Sequence, residues 1–373
     1  MPFGGGHRSV ADAVGHALAR HTGDRSTVQV IDGLDAVSRR LPLSRLGARL
    51  YFWLTSPRVR FLYKRLFKAV DLWPEEFGRA CYLLFGRRVR RWLDTEKPDI
   101  AVSTFTFVTY VLGAAIHDLR MKTRLVCIVT DGGRVNRSWF HGGADLTVVT
   151  DPDTLRTHRS ISLASTVTYL PLPLRPGFPS SMSQDEARQA LDIPDGLTVL
   201  IWAGGQGMGH YMTALARELH RRNAPDMNSI FLTGDNHRLG AELRRMLRDR
   251  RATVLGHRDD VPLLLSAVDV VIGKPGWVSL AEATASGLHT ICVDTLPGQE
   301  LENLRVSTAR GVASWIPNVC DALEATLQAR LKRGCRQGCR QAVPTANSAE
   351  LCRRILGDAA LTQPTRTTLT HSI

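Results

Sequence analysis

Short, almost wholly apolar runs alternate with helical stretches along this chain. "DIAVSTF" (99–105), "RLVCIVTDGG" (124–133), "ADLTVVTD" (144–151) and "VTYLPLPL" (167–174) read as buried strands, and "TVQVIDGL" (27–34) precedes them. Strands that carry apolar residues on both faces belong to a parallel sheet covered by helices on each side. After the Pro-, Gly- and Ser-rich stretch "PLPLRPGFPSS" (171–181) the alternation restarts with "LTVLIWAGGQGMGH", "NSIFLTGD" (228–235), "ATVLG" (252–256), "VDVVIGKPG" (268–276) and "HTICVDT" (289–295). A chain of 373 residues can bury two cores. The expectation is therefore an α/β protein with two doubly wound domains, 1–172 and 173–345. Residues 346–373 follow as a C-terminal helix and a polar tail, "LTQPTRTTLTHSI", without regular structure.

The first helix is legible at once. Val10, Ala13, Val14, Ala17 and Leu18 fall on one face. Ahead of it stands "MPFGGGH", a glycine-rich loop of the kind that joins a strand to a helix, yet no strand feeds it. The first strand of the sheet is therefore expected to be missing, either because the start codon is set too late, the favoured reading, or because the sheet edge is modified.

Composition excludes some classes. No run of 18 apolar residues exists to span a bilayer, and no basic-then-apolar leader opens the chain. Seven scattered cysteines read as reduced thiols of a cytosolic protein. The net charge of +13 is concentrated between Ala36 and Trp92, where fourteen Arg and Lys face three Asp and Glu. The same stretch holds eleven of the 24 aromatic residues. Basic charge interleaved with aromatics fits an anionic membrane surface, a nucleic acid, or ordinary amphipathic helices with a solvated basic side. Trp53, Arg58, Arg60, Phe61, Lys64 and Arg65 are the candidate contacts.

Three helix starts in the second half suit an anion or a diol. "AGGQGMGH" (203–210) follows a strand and opens a helix, so Gly204, Gly205, Gln206 and Gly207 can turn backbone N–H groups toward phosphate. The loop lacks the dinucleotide G-x-G-x-x-G spacing, and a tight turn without ligand would look the same. "GKPGWVSLAE" repeats the arrangement and carries Glu282, a carboxylate able to accept from a ribose diol or to charge a helix N-terminus. "PGQE" (297–300) places Gln299 beside Glu300, a pairing that suits sugar hydroxyls and equally a capped helix start.

The order of these motifs resembles the monogalactosyldiacylglycerol synthases and the bacterial processive diacylglycerol glucosyltransferases. It is more distantly similar to the enzyme that adds N-acetylglucosamine to lipid I. The residues that carry the resemblance are Lys274, Pro275, Gly276, Ser279 and Glu282, then Pro297, Gly298, Gln299, Glu300 and Asn303. In the first half they are "PFGGGHRSVADAV" and "VTDGGRVNRSWFHGGADLTVV", over a total span of about 3–315. Trp277 and Asn136 depart from the pattern, where glycine and histidine are expected.

The resemblance implies a GT-B fold, two Rossmann-like domains facing a cleft. It implies an inverting hexosyltransferase that moves a sugar from a UDP-sugar to a lipid hydroxyl, diacylglycerol first, to make a glycolipid. The glycine loop and the helix near Ser279 would stabilise the departing diphosphate. No acidic metal pair presents itself at the donor site, so no cofactor and no essential metal are expected. His7 is the first candidate for the base that deprotonates the acceptor and Asp131 the second, with Trp139 in the acceptor region. Such an enzyme would work in the cytoplasm, peripherally bound to the inner face of the cell membrane. A transferase for a soluble natural-product aglycone, a nucleotide-sugar epimerase and a basic nucleic-acid-binding protein remain as alternatives.

Overall fold

A computed structural model describes residues 5–33, 53–56, 59–158, 166–204, 209–222, 227–248, 251–329, 347–357 and 365–371. In chain order the first elements are α1 (Gly6–Thr22), β1 (Ser26–Asp32), α2 (Arg60–Leu72), α3 (Pro74–Glu96), β2 (Ile100–Ser103), α4 (Thr106–Asp118), β3 (Arg124–Ile128), β4 (Leu146–Val149), α5 (Pro152–Thr157) and β5 (Thr166–Tyr169). Next come α6 (Gln184–Ala190), β6 (Leu197–Trp202), α7 (His210–Arg222), β7 (Met227–Leu232), α8 (His237–Met246), β8 (Ala252–Leu255), α9 (Val261–Ala267) and β9 (Val270–Gly273). The last are α10 (Trp277–Ala285), β10 (Thr290–Cys292), α11 (Gln299–Ala309), β11 (Ala313–Trp315), α12 (Val319–Ala329), α13 (Ser348–Leu356) and β12 (Thr365–His371).

The chain forms two compact units. Unit 1 comprises Met1–Pro176, Pro297–Glu302 and Thr345–Ile373, and unit 2 comprises Gly177–Leu296 and Asn303–Pro344. Each has a six-stranded parallel sheet, in the order β1-β12-β2-β3-β4-β5 in unit 1 and β11-β10-β9-β6-β7-β8 in unit 2.

The continuous apolar strands have the predicted cause. Along β6, Leu197, Val199 and Ile201 enter one core with Met212, Leu215 and Phe231. Leu200 and Trp202, on the opposite face, enter another with Ile230, Leu264 and Leu265. Both faces are covered, so no polar alternation is needed. In unit 1, Leu93, Ala101, Leu112, Leu125, Cys127 and Trp139 share one core. The α3–α4 contact is close because Gly78 meets the Tyr110 ring, and a Cβ there would lie 2.3 Å from it.

Two expectations are corrected. The polar C-terminal stretch contains a strand. β12 inserts between β1 and β2, with Thr367 level with both Val28 and Ile100. Its sequence "TRTTLTH" is rich in threonine, a β-branched residue that favours strands, and has a single apolar residue, Leu369. The helix before it, α13, packs on α1. The C-terminal region thus belongs to unit 1, and β12 stands between β1 and β2 in its sheet. The second correction concerns Pro297–Glu302, expected in the second domain and found in unit 1.

Candidate active site

In unit 2 the chain order reverses beside β6: β7 and β8 lie to one side, β9, β10 and β11 to the other. Crevices at the carboxyl ends of strands flanking such a reversal are where open α/β sheets bind ligands. β6, which leads into the first glycine-containing loop, and β9 both end there. Gly204 begins the first loop with φ +70, a conformation that favours glycine. Gly205, Gln206 and Gly207 lie outside the described residues. Gly273 closes β9 against the Trp202 indole, where an added Cβ would stand 2.5 Å from the ring. Lys274, Pro275 and Gly276 follow, Gly276 as the N-cap of α10. Ser279 is half-buried in the first turn and Glu282 is 4% exposed in the second. Trp277 opens the helix as a buried ring with the Arg310 guanidinium 6.0 Å from its centroid. Asn303 is buried in α11.

In unit 1 the C-terminal ends of β2 and β3 meet the start of α1. His7 stands in the first turn of that helix rather than at a loop tip, because Gly5 is the N-cap. Its Nδ1 lies 2.7 Å from the Thr104 carbonyl oxygen and 2.9 Å from Thr130 Oγ1. The Thr104 hydroxyl donates back to the His7 carbonyl at 3.0 Å. Phe105 presents its ring edge-on at 5.0 Å and Trp139 packs at 6.2 Å. Asp131 follows Thr130 and is half-buried. Trp139, expected at the acceptor or membrane surface, is 4% exposed and forms part of the core behind His7.

The segment Pro297–Glu302 folds against this edge within unit 1. The Gln299 amide donates to the Gly132 carbonyl at 3.0 Å, and Glu302 accepts from the Arg134 N–H. Gly298, with φ +113, approaches the Phe67 ring so closely that a Cβ would lie 3.0 Å away. Tyr63 completes the group. Burial pushes its phenol well above the ordinary range, and the carboxylates of Glu300 and Asp131 add to the effect. Asn136, the residue in place of an expected histidine, is structural: its Oδ1 accepts from Ser138 N and its Nδ2 donates to the Phe67 carbonyl. Thr104, Thr130 and Tyr63 escaped the sequence reading. Only the positions of Thr104 and Thr130 at strand ends could have marked them.

Of the basic, aromatic segment, Trp53, Phe61, Lys64 and Arg65 are exposed, Arg60 is half-buried and Arg58 lies outside the described residues. Leu83 and Leu84 on α3 are 86% and 73% exposed, one turn before Arg87 and Arg88. No helix among the described residues is long and apolar enough to cross a membrane.

Residues 7–169 match the family described as monogalactosyldiacylglycerol (MGDG) synthase. A probable MGDG synthase 2 of Oryza sativa subsp. indica is 28% identical over 84% of this chain and 69% of its own length. The processive diacylglycerol beta-glucosyltransferase of Staphylococcus carnosus is 23% identical over 87% of this chain and 81% of that protein. Over residues 7–169 the chain is similar to the MGDG synthase family. Its fold is GT-B, as in Acinetobacter baumannii MurG, a likeness with TM-score 0.53 and 16% identity over 74% of this chain and 78% of the other. Staphylococcus aureus MnaA, solved with UDP, has TM-score 0.58 and 14% identity over 78% and 84%. These structural likenesses speak to the fold alone. The family match covers the stretch of the chain that contains His7, Asp131 and Trp139.

Proposed function

We propose that this protein transfers a hexose from a UDP-sugar to the free hydroxyl of diacylglycerol, with inversion, to make a glycolipid. The observation that carries the reading is the family match over residues 7–169 together with relatives named for diacylglycerol glycosylation. The chemistry available at each sheet edge supports it. Unit 2 offers the donor loops. N–H groups of the glycine loop after β6 and of the α10 start meet the diphosphate as its leaving charge grows. Lys274 adds positive charge, Glu282 takes the ribose diol, and Ser279 and Asn303 supply further polar contacts. Donor charge is met by these groups, so turnover needs no added metal.

Unit 1 offers the base. His7 takes the acceptor proton as the acceptor oxygen bonds to the anomeric carbon, and the bond from that carbon to the diphosphate oxygen breaks with its electron pair. Asp131 and the Gln299–Glu300 pair, gathered on the same edge, contact the sugar and the attacking hydroxyl. The lipid reaches the site because the basic, aromatic face of α2 and α3 docks on an anionic membrane surface, on its cytoplasmic side. Exposed Phe61, Leu83 and Leu84 insert among the lipids while Lys64, Arg65, Arg87 and Arg88 meet the headgroups.

The test is transfer itself. Purified protein, radiolabelled UDP-galactose or UDP-glucose and diacylglycerol vesicles should yield label in the organic phase. His7→Ala should lower that rate by about 10²–10⁴-fold with UDP affinity nearly unchanged. Label that stays in the aqueous phase with every lipid acceptor would overturn the reading. If transfer survives His7→Ala and is abolished by Asp131→Asn, the base is Asp131.

A further inference from the structure

We propose that Thr104 and Thr130 are positioning residues that hold the His7 ring with its proton on Nδ1, making Nε2 the atom that takes the acceptor proton. The inference rests on the reading of His7 as base and adds which nitrogen acts and what holds it.

The geometry decides the tautomer. A carbonyl oxygen can only accept, so the nitrogen 2.7 Å from the Thr104 carbonyl must carry hydrogen. That nitrogen has no lone pair to offer Thr130, whose Oγ1 at 2.9 Å is therefore a second acceptor of the same N–H. In the neutral imidazole the lone pair is then on Nε2. Both threonines are buried, Thr104 fully and Thr130 at 4% exposure, so the bonds act where water screens little. The clamp is reciprocal. The Thr104 hydroxyl donates to the His7 carbonyl while the Thr104 carbonyl receives from the His7 ring. Phe105 edge-on and Trp139 tilted limit rotation of the ring.

The arrangement also suits the step after proton transfer. When Nε2 accepts the hydroxyl proton the ring becomes imidazolium, and its Nδ1–H bonds to two oxygens strengthen as the charge appears. Hydrogen bonds to the charged form raise a pKa. Loss of the Thr130 acceptor should therefore lower the pKa of the ring and carry the acid limb of the rate profile to lower pH. Two threonines and two aromatic rings pack on the imidazole, and Asp131 is the carboxylate next in sequence to Thr130.

The test compares Thr130→Val and Thr104→Val, which keep shape and delete the hydroxyl, with Thr130→Ser and Thr104→Ser, which keep the hydroxyl. Rates of transfer from a UDP-hexose to diacylglycerol are normalised to UDP-binding sites counted by calorimetry, so unfolded protein is not scored. The valine variants should lose about tenfold to a hundredfold in kcat. The serine variants should stay within a few-fold of the parent, and the acid limb of kcat/KM should move down in pH for Thr130→Val. Valine variants with parental kcat and an unmoved limb, beside an inactive His7→Ala, would overturn the positioning role alone. Serine variants as poor as the valines would overturn it too, because the methyl and not the hydroxyl would then matter. An active His7→Ala would instead remove the base on which the proposal rests.

Discussion

Glu282 stands in the second turn of α10 with 4% of its surface exposed, at the sheet edge where the chain order reverses. A buried carboxylate is retained against its desolvation cost only where donors meet it. Replacement by Gln keeps the shape and removes the charge, and should weaken UDP binding by about 1–3 kcal/mol, the range for hydrogen bonds to a charged group. Calorimetric titration of UDP checks this, and equal affinities would take Glu282 out of the donor site. At this scale the sequence revealed residues of distinctive chemistry and hid ordinary ones. His7 and Glu282 stand out by type and by their place after glycine-containing loops, and Asp131 by its place at the end of a strand. Thr104 and Thr130 have no such mark, because a threonine at a strand end is also common packing. Trp139, placed in the acceptor region by the resemblance alone, is a buried part of the core.

Among the elements, α5 ends at His158, which is buried with its ring 4.5 Å from that of Phe140. Burial holds this imidazole below its ordinary value of 6.5. The backbone bond to Val135 and the charge of Asp71 oppose the shift, and Arg134 and Arg137 add to it. The folded state therefore refuses a proton that the unfolded chain accepts. Its contribution to stability is complete above pH 6.5 and falls as the pH drops below that value toward the depressed one. Melting between pH 7.5 and 5.5 should fall further for the parent than for His158→Gln, and equal falls would contradict this.

α2 and α3 form the second case. Binding to anionic liposomes should decline when Lys64 and Arg65 become Ser, by about 1 kcal/mol for each charge near the surface. Phe61→Ala should weaken it independently of salt. Co-sedimentation at two salt concentrations separates the two effects. Tight binding to oligonucleotides with none to anionic liposomes would contradict the docking role. Ten strands were legible from their apolar runs, and α1 from its apolar periodicity. β11 is three residues long and β12 is polar, and neither offers a hydrophobic pattern. Their pairing is supplied by neighbours distant in sequence, which a local reading does not contain.

For the whole molecule, the two-sheet architecture was readable because strand runs apolar on both faces have few other solutions. Where the chain returns was not readable. Pro297–Glu302 lies in sequence between the two segments of the second unit, and the C-terminal helix and strand follow that unit, yet all belong to the first. Within this returning segment Gln299 holds the Gly132 carbonyl one residue beyond Asp131. Gln299→Ala should lower transfer more than it lowers UDP affinity; the reverse ranking would assign Gln299 to the donor instead. The central claim is inverting hexosyl transfer to diacylglycerol, and the stereochemistry of the product tests it most directly. A UDP-hexose with an α linkage, incubated with the purified chain and diacylglycerol, should give a β-linked glycosyl diacylglycerol identified by proton NMR of the extracted lipid. An α-linked lipid, free sugar without lipid product, or an epimerised nucleotide sugar would contradict the account.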